Sequence, residues 1–517
     1  MNRIKPFILP FFIIFSVAAI GVYFRPLLPV DETRYISVAW EMYSNHSFLV
    51  PLLNGEPYHH KPPLLFWLID FLWYLFGVKE WVVRFIPSIF GFLSCVVAYF
   101  MAKELFKDEE SSKTAPLILS SMALFVFFSS MLTFDVMLSF WVLLSAYFFI
   151  KASNRFSLKY FILAGVAIGG GALTKGPVIL VHLLPLVLYI PFLKGLDKKR
   201  WFFGFLKSFF IGVFIALLWA VPAAISGGEE YAKAIFWGQS ANRVVSSFAH
   251  RRPFWWYIPM LFFLFMPYIL VKPFWKIGEY FKKEKEVRLL SVWIAGGVFL
   301  FSLISGKQIQ YLLPEIPPFA LLVSRIFAKE KLKREDIKYV GFAYIFIALL
   351  FVFGVFYLKF VENRYSLSFL PLIFMTLSTG LIGVWLLVYP FRKYILESVA
   401  VSVVLFIFAL HIGLVDVWKI QSLKPVAREI NYLQKSGKTV AVIGKYHDEY
   451  HFLGRLKKKI VVVKNDRKRI LEFKKANPKA IVIYKVSRNE ILNMPILKEY
   501  KFRNKKILLL RAKDLKL

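Results

Sequence analysis

The sequence predicts a polytopic α-helical membrane protein with a small α/β domain at its C-terminal end. The chain has 517 residues, 58% of them hydrophobic, and many apolar runs are long enough to cross a bilayer. Its formal net charge of +35 is gathered in short basic clusters between those runs. Because such clusters orient membrane helices, the charge indicates topology, and we expect no nucleic-acid partner.

About thirteen membrane spans are predicted by the criterion of 18 to 20 apolar residues. They lie near 5–24, 64–102, 115–132, 136–152, 159–175, 177–193, 203–225, 255–272, 288–305, 311–328, 338–358, 366–389 and 394–415. The run 64–102 is too long for one span, so we expect a bend near Gly77–Lys79, with its first part along the membrane interface. No small-residue cleavage site follows the first run, which therefore predicts an uncleaved helix.

Alternate loops are rich in lysine and arginine, which places them in the cytoplasm. The opposite set then faces outward and comprises 25–63, 129–135, the loop at Lys175, 226–254, 305–311 and 359–365. An odd number of spans puts the C-terminal residues on that same outer side. Cys95 is the single cysteine and lies in an apolar run, so no disulfide framework is expected.

Residues 416–517 have a different pattern from the transmembrane domain, 1–415. Short apolar runs (TVAVIG, IVVV, AIVIY and KILLL) alternate with polar stretches of helical character. This alternation predicts a small extracytoplasmic α/β domain. Its surface is strongly basic and could rest on anionic membrane lipids.

The outer loop 25–63 is the most informative segment of the chain. It carries Asp31, Glu32, Arg34 and Lys61, and Pro62 and Pro63 confine that lysine to an extended backbone beside the membrane. Ionisable groups held at a bilayer are functional by default. A lysine at this depth is well placed to bind the phosphate of a lipid-linked molecule.

A short amphipathic helix is predicted at the start of this loop. Asp31 is expected to cap it, because a carboxylate can accept hydrogen bonds from the first-turn N–H groups. One stripe of the helix is apolar and is expected to lie on lipid; it consists of Ile36, Ala39, Trp40 and Tyr43. Arg34 and Glu41 would then face the protein.

The other outer loops repeat the same kind of residue. Each has ionisable or polar groups in otherwise apolar sequence, namely Asp135 in LTFDVML, Lys175 in LTKGPV, Arg243 in QSANRVV, His250, Arg251 and Arg252 before PFWWY, and Lys307 and Tyr311 in SGKQIQYLLP. Singly, each charged residue could be an anchoring residue at the membrane surface. Their recurrence on one side indicates a shared site.

These motifs resemble, in order, those of the GT-C glycosyltransferases of the lipid A aminoarabinose transferase and protein O-mannosyltransferase type. The resemblance covers roughly residues 5–330, and LVPLLNGEPYHHKPPLLFWL in the first loop is its most specific part. It implies a bacterial inner-membrane enzyme that moves a sugar from a polyprenyl-phosphate donor to lipid A or another envelope acceptor, with inversion. The chain departs from the aminoarabinose subfamily at His60-Lys61-Pro62, where that subfamily has Glu-Lys-Pro.

The resemblance also implies roles for the outer-loop residues. Asp31, Glu32 and Asp135 are the catalytic candidates. The candidates for binding the donor phosphate are Arg34, Lys61, Lys175, Arg243, Arg251, Arg252, Lys307 and Tyr311. His60 and His250, together with His59, could bind zinc, magnesium or manganese, since imidazole suits zinc, and a plain hydrogen-bond network explains these histidines equally well. No nucleotide or redox cofactor is expected.

Two other functions remain open. A protein O-mannosyltransferase would glycosylate an unfolded polypeptide and not a lipid. A lipid flippase or transporter would be no enzyme at all, but such proteins often have inverted repeats and charges near the bilayer midplane. This chain has no evident repeat, and its charges cluster at one face.

Overall fold

The computed structural model describes residues 4–238, 251–357, 368–391, 394–487 and 494–515. Its α-helices are Lys5–Phe24 (α1), Asp31–Asn45 (α2), Leu64–Phe76 (α3), Glu80–Val83 (α4), Ile86–Phe106 (α5), Glu109–Ser120 (α6), Ala123–Ser129 (α7), Asp135–Arg155 (α8), Leu158–Lys175 (α9), Val178–Lys194 (α10), Lys198–Lys233 (α11), Tyr257–Leu264 (α12), Ile277–Lys283 (α13), Lys285–Leu303 (α14), Ile316–Glu330 (α15), Lys338–Phe356 (α16), Phe369–Val388 (α17), Ile395–Gly413 (α18), Val415–Gln421 (α19), Lys424–Lys435 (α20), His451–Gly454 (α21) and Arg467–Ala476 (α22).

Within these ranges, nine helices are long and apolar enough to cross a membrane, or ten if α6 and α7, bent by 62°, form one span. Each of the thirteen predicted spans contains helix, so the predicted fold class is confirmed. Three of the predicted spans, 159–175, 177–193 and 255–272, correspond to α9, α10 and α12, which are not among those nine or ten helices. The predicted bend is present, because α3 ends at Phe76, Gly77 adopts a φ of +76°, and α4 begins at Glu80.

The outer loop 25–63 is ordered by helix α2 and a two-stranded hairpin, Leu52–Leu53 (β1) and Glu56–Pro57 (β2). Asn54 and Gly55 form the turn, both with positive φ, as an Asn-Gly pair favours. The predicted cap is wrong: Val30 is the cap residue, and no side chain caps the helix. The carboxylate of Asp31 accepts a hydrogen bond from Arg34 three residues later.

The apolar stripe of α2 contacts protein and not lipid, which corrects the prediction. Ile36, Ala39 and Trp40 are buried, in a cluster that includes residues of α3 and Phe452 of the C-terminal domain. The indole of Trp40 donates to the carbonyl of Leu456 at 2.9 Å. An amphipathic pattern shows that one face is covered, and here the C-terminal domain helps to cover it.

The C-terminal domain contains a five-stranded mixed sheet. Its strands are Val440–Ile443 (β3), Val461–Val463 (β4), Ile481–Ser487 (β5), Ile496–Phe502 (β6) and Lys505–Arg511 (β7), in the order β4-β3-β5-β7-β6. Strand β3 pairs in parallel with β4 and β5, whereas β7 pairs antiparallel with β5 and β6. The four apolar runs recognised in the sequence are the other four strands, and β6 is an exposed edge strand.

The C-terminal domain is docked on the first outer loop. The side chain of Asn54 exchanges two hydrogen bonds of 2.9 Å with the backbone of Ile460. The backbone N–H of Phe452 donates to Ser37 at 3.1 Å. Loop 25–63 and this domain therefore lie on the same side of the helical bundle.

Candidate active site

Loops that are far apart in the sequence meet around a cavity of about 190 Å³. It is lined by Leu28, Pro29, Val30, Asp31, Glu32, Tyr35, Phe128, Met131, Thr133, Asp135, Lys175, Gln308, Gln310 and Tyr311. Four of the loops predicted to face outward contribute to this lining. Among the predicted site residues, the cavity brings together Asp31, Glu32, Asp135, Lys175 and Tyr311.

Asp135 and Lys175 form an ion pair in the cavity wall, and both side chains are largely buried. Asp135 is the first residue of α8 and Lys175 is the last residue of α9. A helix dipole favours an acid at the N-terminus and a base at the C-terminus, so each helix end stabilises its own charge. The ammonium of Lys175 also lies 4.7 Å from the centroid of the Tyr311 ring. Asp135 and Tyr311 thus hold this lysine, which lines the cavity.

Asp31 lines the cavity with part of its side chain open to solvent. Its Oδ1 accepts from Arg34 at 2.5 Å and from the hydroxyl of Tyr35 at 3.4 Å. The side chain of Asp31 remains 53% exposed and that of Arg34 20%. An exposed carboxylate retains lone pairs for a bound molecule, so Asp31 can orient an acceptor or accept its proton.

Glu32 has a different environment although it is next in the sequence. Its carboxylate is fully buried, pairs with Arg25, and accepts from the backbone N–H groups of Leu28 at 2.9 Å and Leu132 at 2.7 Å. Burial alone would raise the pKa of Glu32, but the charges of Arg25 and Arg84 and these hydrogen bonds lower it. Glu32 therefore remains ionised and joins two loops of the cavity, which is a positioning role.

Lys61 lies at the edge of the same site. Its ammonium is 5.6 Å from the centroid of Phe134, the residue before Asp135, and Phe134 in turn packs on Tyr35. The adjacent His60 is exposed, and its ring centroid is 4.3 Å from that of His59. Lys61 is thus close to the cavity without forming its wall.

Lys307 braces two loops. It is buried, and its ammonium donates to the backbone carbonyls of Ile304 and, at 3.3 Å, of Arg252. Burial lowers the pKa of Lys307. The exposed Arg251 and Arg252 lie beside the same loop, because the backbone of Arg251 forms an isolated antiparallel β-bridge with that of Gly306. Phosphate-binding candidate Arg243 and metal candidate His250 lie outside the described residues.

Several residues of the site were missed by sequence reasoning. Arg25 and Arg84 are fully buried and hold the first loop, with Arg84 donating to the carbonyl of Arg25 at 2.9 Å. An arginine directly after the first span could have signalled this role, since charges at span ends need partners. Gln308 and Gln310 line the cavity and could have been recognised as two amides before an apolar helix.

In the described part of the chain, one group of three side chains is spaced to hold a metal ion. It consists of Glu41, Asp448 and His451, which are all buried, with candidate ligand atoms within 4.8 Å of one another. The group lies at the junction of α2 and the C-terminal domain and does not line the cavity. None of its members was a predicted metal ligand.

Comparison with known proteins supports the resemblance found in the sequence. Residues 60–225 match the family described as dolichyl-phosphate-mannose-protein mannosyltransferase. Over 315 residues the chain is 28% identical to an undecaprenyl phosphate-α-4-amino-4-deoxy-L-arabinose arabinosyl transferase of Pseudomonas paraeruginosa, covering 59% of this chain and 56% of that one. A transferase of the same name from Pseudomonas fluorescens is 30% identical over 306 residues, covering 57% and 54%. The chain thus matches a little over half the length of these relatives.

Solved structures show the same fold. ArnT from Cupriavidus metallidurans bound to undecaprenyl phosphate superimposes with a TM-score of 0.76 at 18% identity, covering 98% of both chains. The Archaeoglobus fulgidus oligosaccharyltransferase gives a TM-score of 0.52 at 14% identity, covering 91% of this chain and 69% of that one. The chain therefore has the GT-C fold, and it resembles the aminoarabinose transferase type, as the sequence predicted.

Proposed function

We propose that this protein is an inverting glycosyltransferase of the bacterial inner membrane. It takes a sugar from a polyprenyl-phosphate donor and transfers it to a lipid A-type acceptor at the outer leaflet, with its active site facing the periplasm. One observation carries this proposal: Lys175, Asp135 and Asp31 line one cavity formed by loops on the side where the C-terminal domain is docked. The names of the relatives, undecaprenyl-phosphate-dependent arabinosyl transferases, support the donor class.

The positive charges in and beside the cavity can stabilise a phosphate leaving group. Breaking the bond between the anomeric carbon and the phosphate leaves a polyprenyl-phosphate anion, and a cation fixed in advance stabilises that charge most where water is scarce. Lys175 is such a cation because Asp135 and Tyr311 hold its ammonium in place. Lys61 and Arg34 supply further positive charge at the rim.

Asp31 is placed to act on the acceptor. If the acceptor is a hydroxyl, the carboxylate accepts its proton as the oxygen attacks the anomeric carbon. If the acceptor is a lipid A phosphate, it is already an anion, and Asp31 with Arg34 orients it. A single displacement inverts the anomeric centre in both cases.

A divalent metal at His59, His60 and His250 is not used in this mechanism. His60 is exposed beside His59, and no group of three potential ligands in the described ranges includes either residue. The first loop has a histidine where the aminoarabinose subfamily has a glutamate, so its donor set differs as well. The proposed steps rest on Lys175, Asp31 and their neighbours.

Purified protein tests the proposal directly. We expect radiolabelled sugar to pass from undecaprenyl-phosphate aminoarabinose to lipid A in detergent or proteoliposomes. Label on an unfolded serine-rich peptide in place of lipid A would identify a protein O-mannosyltransferase-like enzyme. Movement of the donor across a vesicle bilayer without sugar transfer would refute an enzyme and support a flippase.

The acceptor is assigned to lipid for an electrostatic reason. The C-terminal domain is strongly basic and is docked on the loop that lines the cavity. A basic surface beside a bilayer attracts anionic head groups, with about 1 kcal/mol for each cation near the surface. An anionic lipid acceptor is concentrated there, whereas a neutral polypeptide is not.

A further inference from the structure

A buried cluster joins the first outer loop to the C-terminal domain. Glu41 lies in the middle of α2, Asp448 follows strand β3, and His451 begins α21. Their exposed fractions are 5%, 0% and 3%, so all three are shielded from water. The cluster is separate from the candidate active site, whose lining contains none of them.

The cluster holds two acids and a single basic partner. His451 approaches both carboxylates, with its Nε2 at 3.8 Å from Oε1 of Glu41 and its Nδ1 against Oδ1 of Asp448. Neither oxygen of the fully buried Asp448 has a hydrogen-bond partner of normal geometry. Two nearby lysines are engaged elsewhere, Lys485 with Glu449 and Lys459 with Glu56.

Two carboxylates buried beside one imidazole are costly unless further positive charge is present. Glu41 also accepts from the backbone N–H groups of Asn54 and Gly55 at 2.6 and 2.7 Å, which fixes its position. A divalent cation would balance both acids.

We propose that Glu41, Asp448 and His451 bind a divalent metal ion of the zinc class that clamps the C-terminal domain onto the first outer loop. Their ligand atoms lie within 4.8 Å of one another. One imidazole and two carboxylates, with no thiolate, form a ligand set that zinc accepts, and a water molecule would complete four-coordination. The ion has a structural role and takes no part in the transfer reaction.

This role follows from the elements that the cluster connects. Residues 41 and 448 are far apart in the sequence, and the hairpin held by Glu41 also carries Asn54, which binds the backbone of Ile460. Metal binding at such a junction favours the docked state over the separated one. The clamp therefore stabilises loop 25–63, which provides Asp31 to the cavity.

The metal content of the full-length protein tests the proposal. The protein is purified without a polyhistidine tag, and bound metals are measured by mass spectrometry after gel filtration. We expect one zinc ion per chain in the wild type and a loss of that ion in Asp448→Asn and His451→Gln. The matched controls are His447→Ala, on the same loop, and the double variant His59→Ala/His60→Ala, both of which should keep the ion.

Thermal unfolding supplies a second measurement. Removing metal from the wild type with a chelator should lower its melting temperature, added zinc should restore it, and Asp448→Asn should respond to neither. If a variant does not fold, the metal content and the zinc-dependent melting temperature of the wild type still test the proposal. Wild type that carries no metal and shows no zinc-dependent melting temperature overturns the proposal, as does metal that is kept in Asp448→Asn and lost in His59→Ala/His60→Ala.

Discussion

Replacing Lys175 by methionine removes the best-held cation of the cavity at almost constant side-chain length. A unit charge about 4 Å from a phosphate contributes about 4 kcal/mol at an effective dielectric constant near 20. That corresponds to about 10³-fold in rate. The neighbouring Asp135 already offsets part of the charge of Lys175, so the net contribution is smaller. We expect turnover to fall about 10²-fold in Lys175→Met.

The partner carboxylate provides a sharper test. In Lys175→Met, the negative charge of Asp135 remains buried beside the departing phosphate and adds repulsion. Replacing both residues, as Lys175→Met/Asp135→Asn, removes that repulsion as well. The double variant should therefore be about tenfold more active than Lys175→Met, a coupling that two independent residues would not show.

The assay is single-turnover transfer from radiolabelled polyprenyl-phosphate sugar, normalised to monodisperse protein. The exposed Lys199 is the matched control, and Lys199→Met should behave as wild type. A loss in the transfer rate that exceeds the loss in donor affinity would show stabilisation of the departing phosphate. Wild-type turnover in Lys175→Met would refute the reasoning, because the lysine would then only anchor the end of α9.

Four further outcomes are expected. Asp31→Asn should lower transfer to a hydroxyl acceptor about 10²- to 10⁴-fold without unfolding the protein, as removal of a general base does; unchanged kinetics would exclude that role. Lys61→Ala should lower turnover more than Lys61→Arg, since arginine keeps the charge but not the compact ammonium. If both variants had the kinetics of the wild type, Lys61 would serve only as an anchoring residue at the membrane surface. Glu32→Gln should destabilise the fold by about 3–5 kcal/mol because it leaves a buried arginine unpaired, and a melting temperature equal to that of wild type would contradict this. In intact cells an impermeant thiol reagent should label Asn45→Cys but not Lys199→Cys; the native cysteine is buried, and the reverse pattern would invert the topology.

The membrane helices could be predicted well because length and hydropathy determine them. The first span was predicted at 5–24, which are the bounds of α1. The span predicted at 255–272 is shorter as a helix, since α12 ends at Leu264 and Pro267 follows. Proline has no N–H to donate and disfavours helical geometry in the residue before it, so continuous hydropathy conceals a break in the helix.

The edge strand β6 could not be recognised from its sequence. Most of its residues are exposed, and its sequence, ILKEYKF, has too little apolar alternation to indicate a strand. It exists because its backbone pairs with that of β7. Such pairing depends on the tertiary fold and leaves little trace in side-chain pattern.

Five of the predicted site residues line the cavity, but the sequence does not show how they are paired. Asp31 and Arg34 are three residues apart on one helix, so their contact follows from local helix geometry. Asp135 and Lys175, 40 residues apart, meet only because α8 and α9 pack side by side. Lys307 looked like a phosphate ligand for the same reason as Lys175, yet it donates to backbone carbonyls. The partner of a buried charge is a property of loop geometry, which composition does not encode.

The environments of Asp31 and Glu32 explain how one loop can serve both structure and chemistry. The carboxylate of Glu32 accepts hydrogen bonds from an arginine and two backbone N–H groups, and so it cannot accept a proton from a substrate. Asp31 keeps half of its surface exposed. Its importance should therefore depend on the acceptor: large for a hydroxyl that must lose a proton, and small for a phosphate that is already ionised. A larger loss in Asp31→Asn with a hydroxyl acceptor than with a phosphate acceptor would therefore support a proton-accepting role, and equal losses would mean that Asp31 only orients the loop.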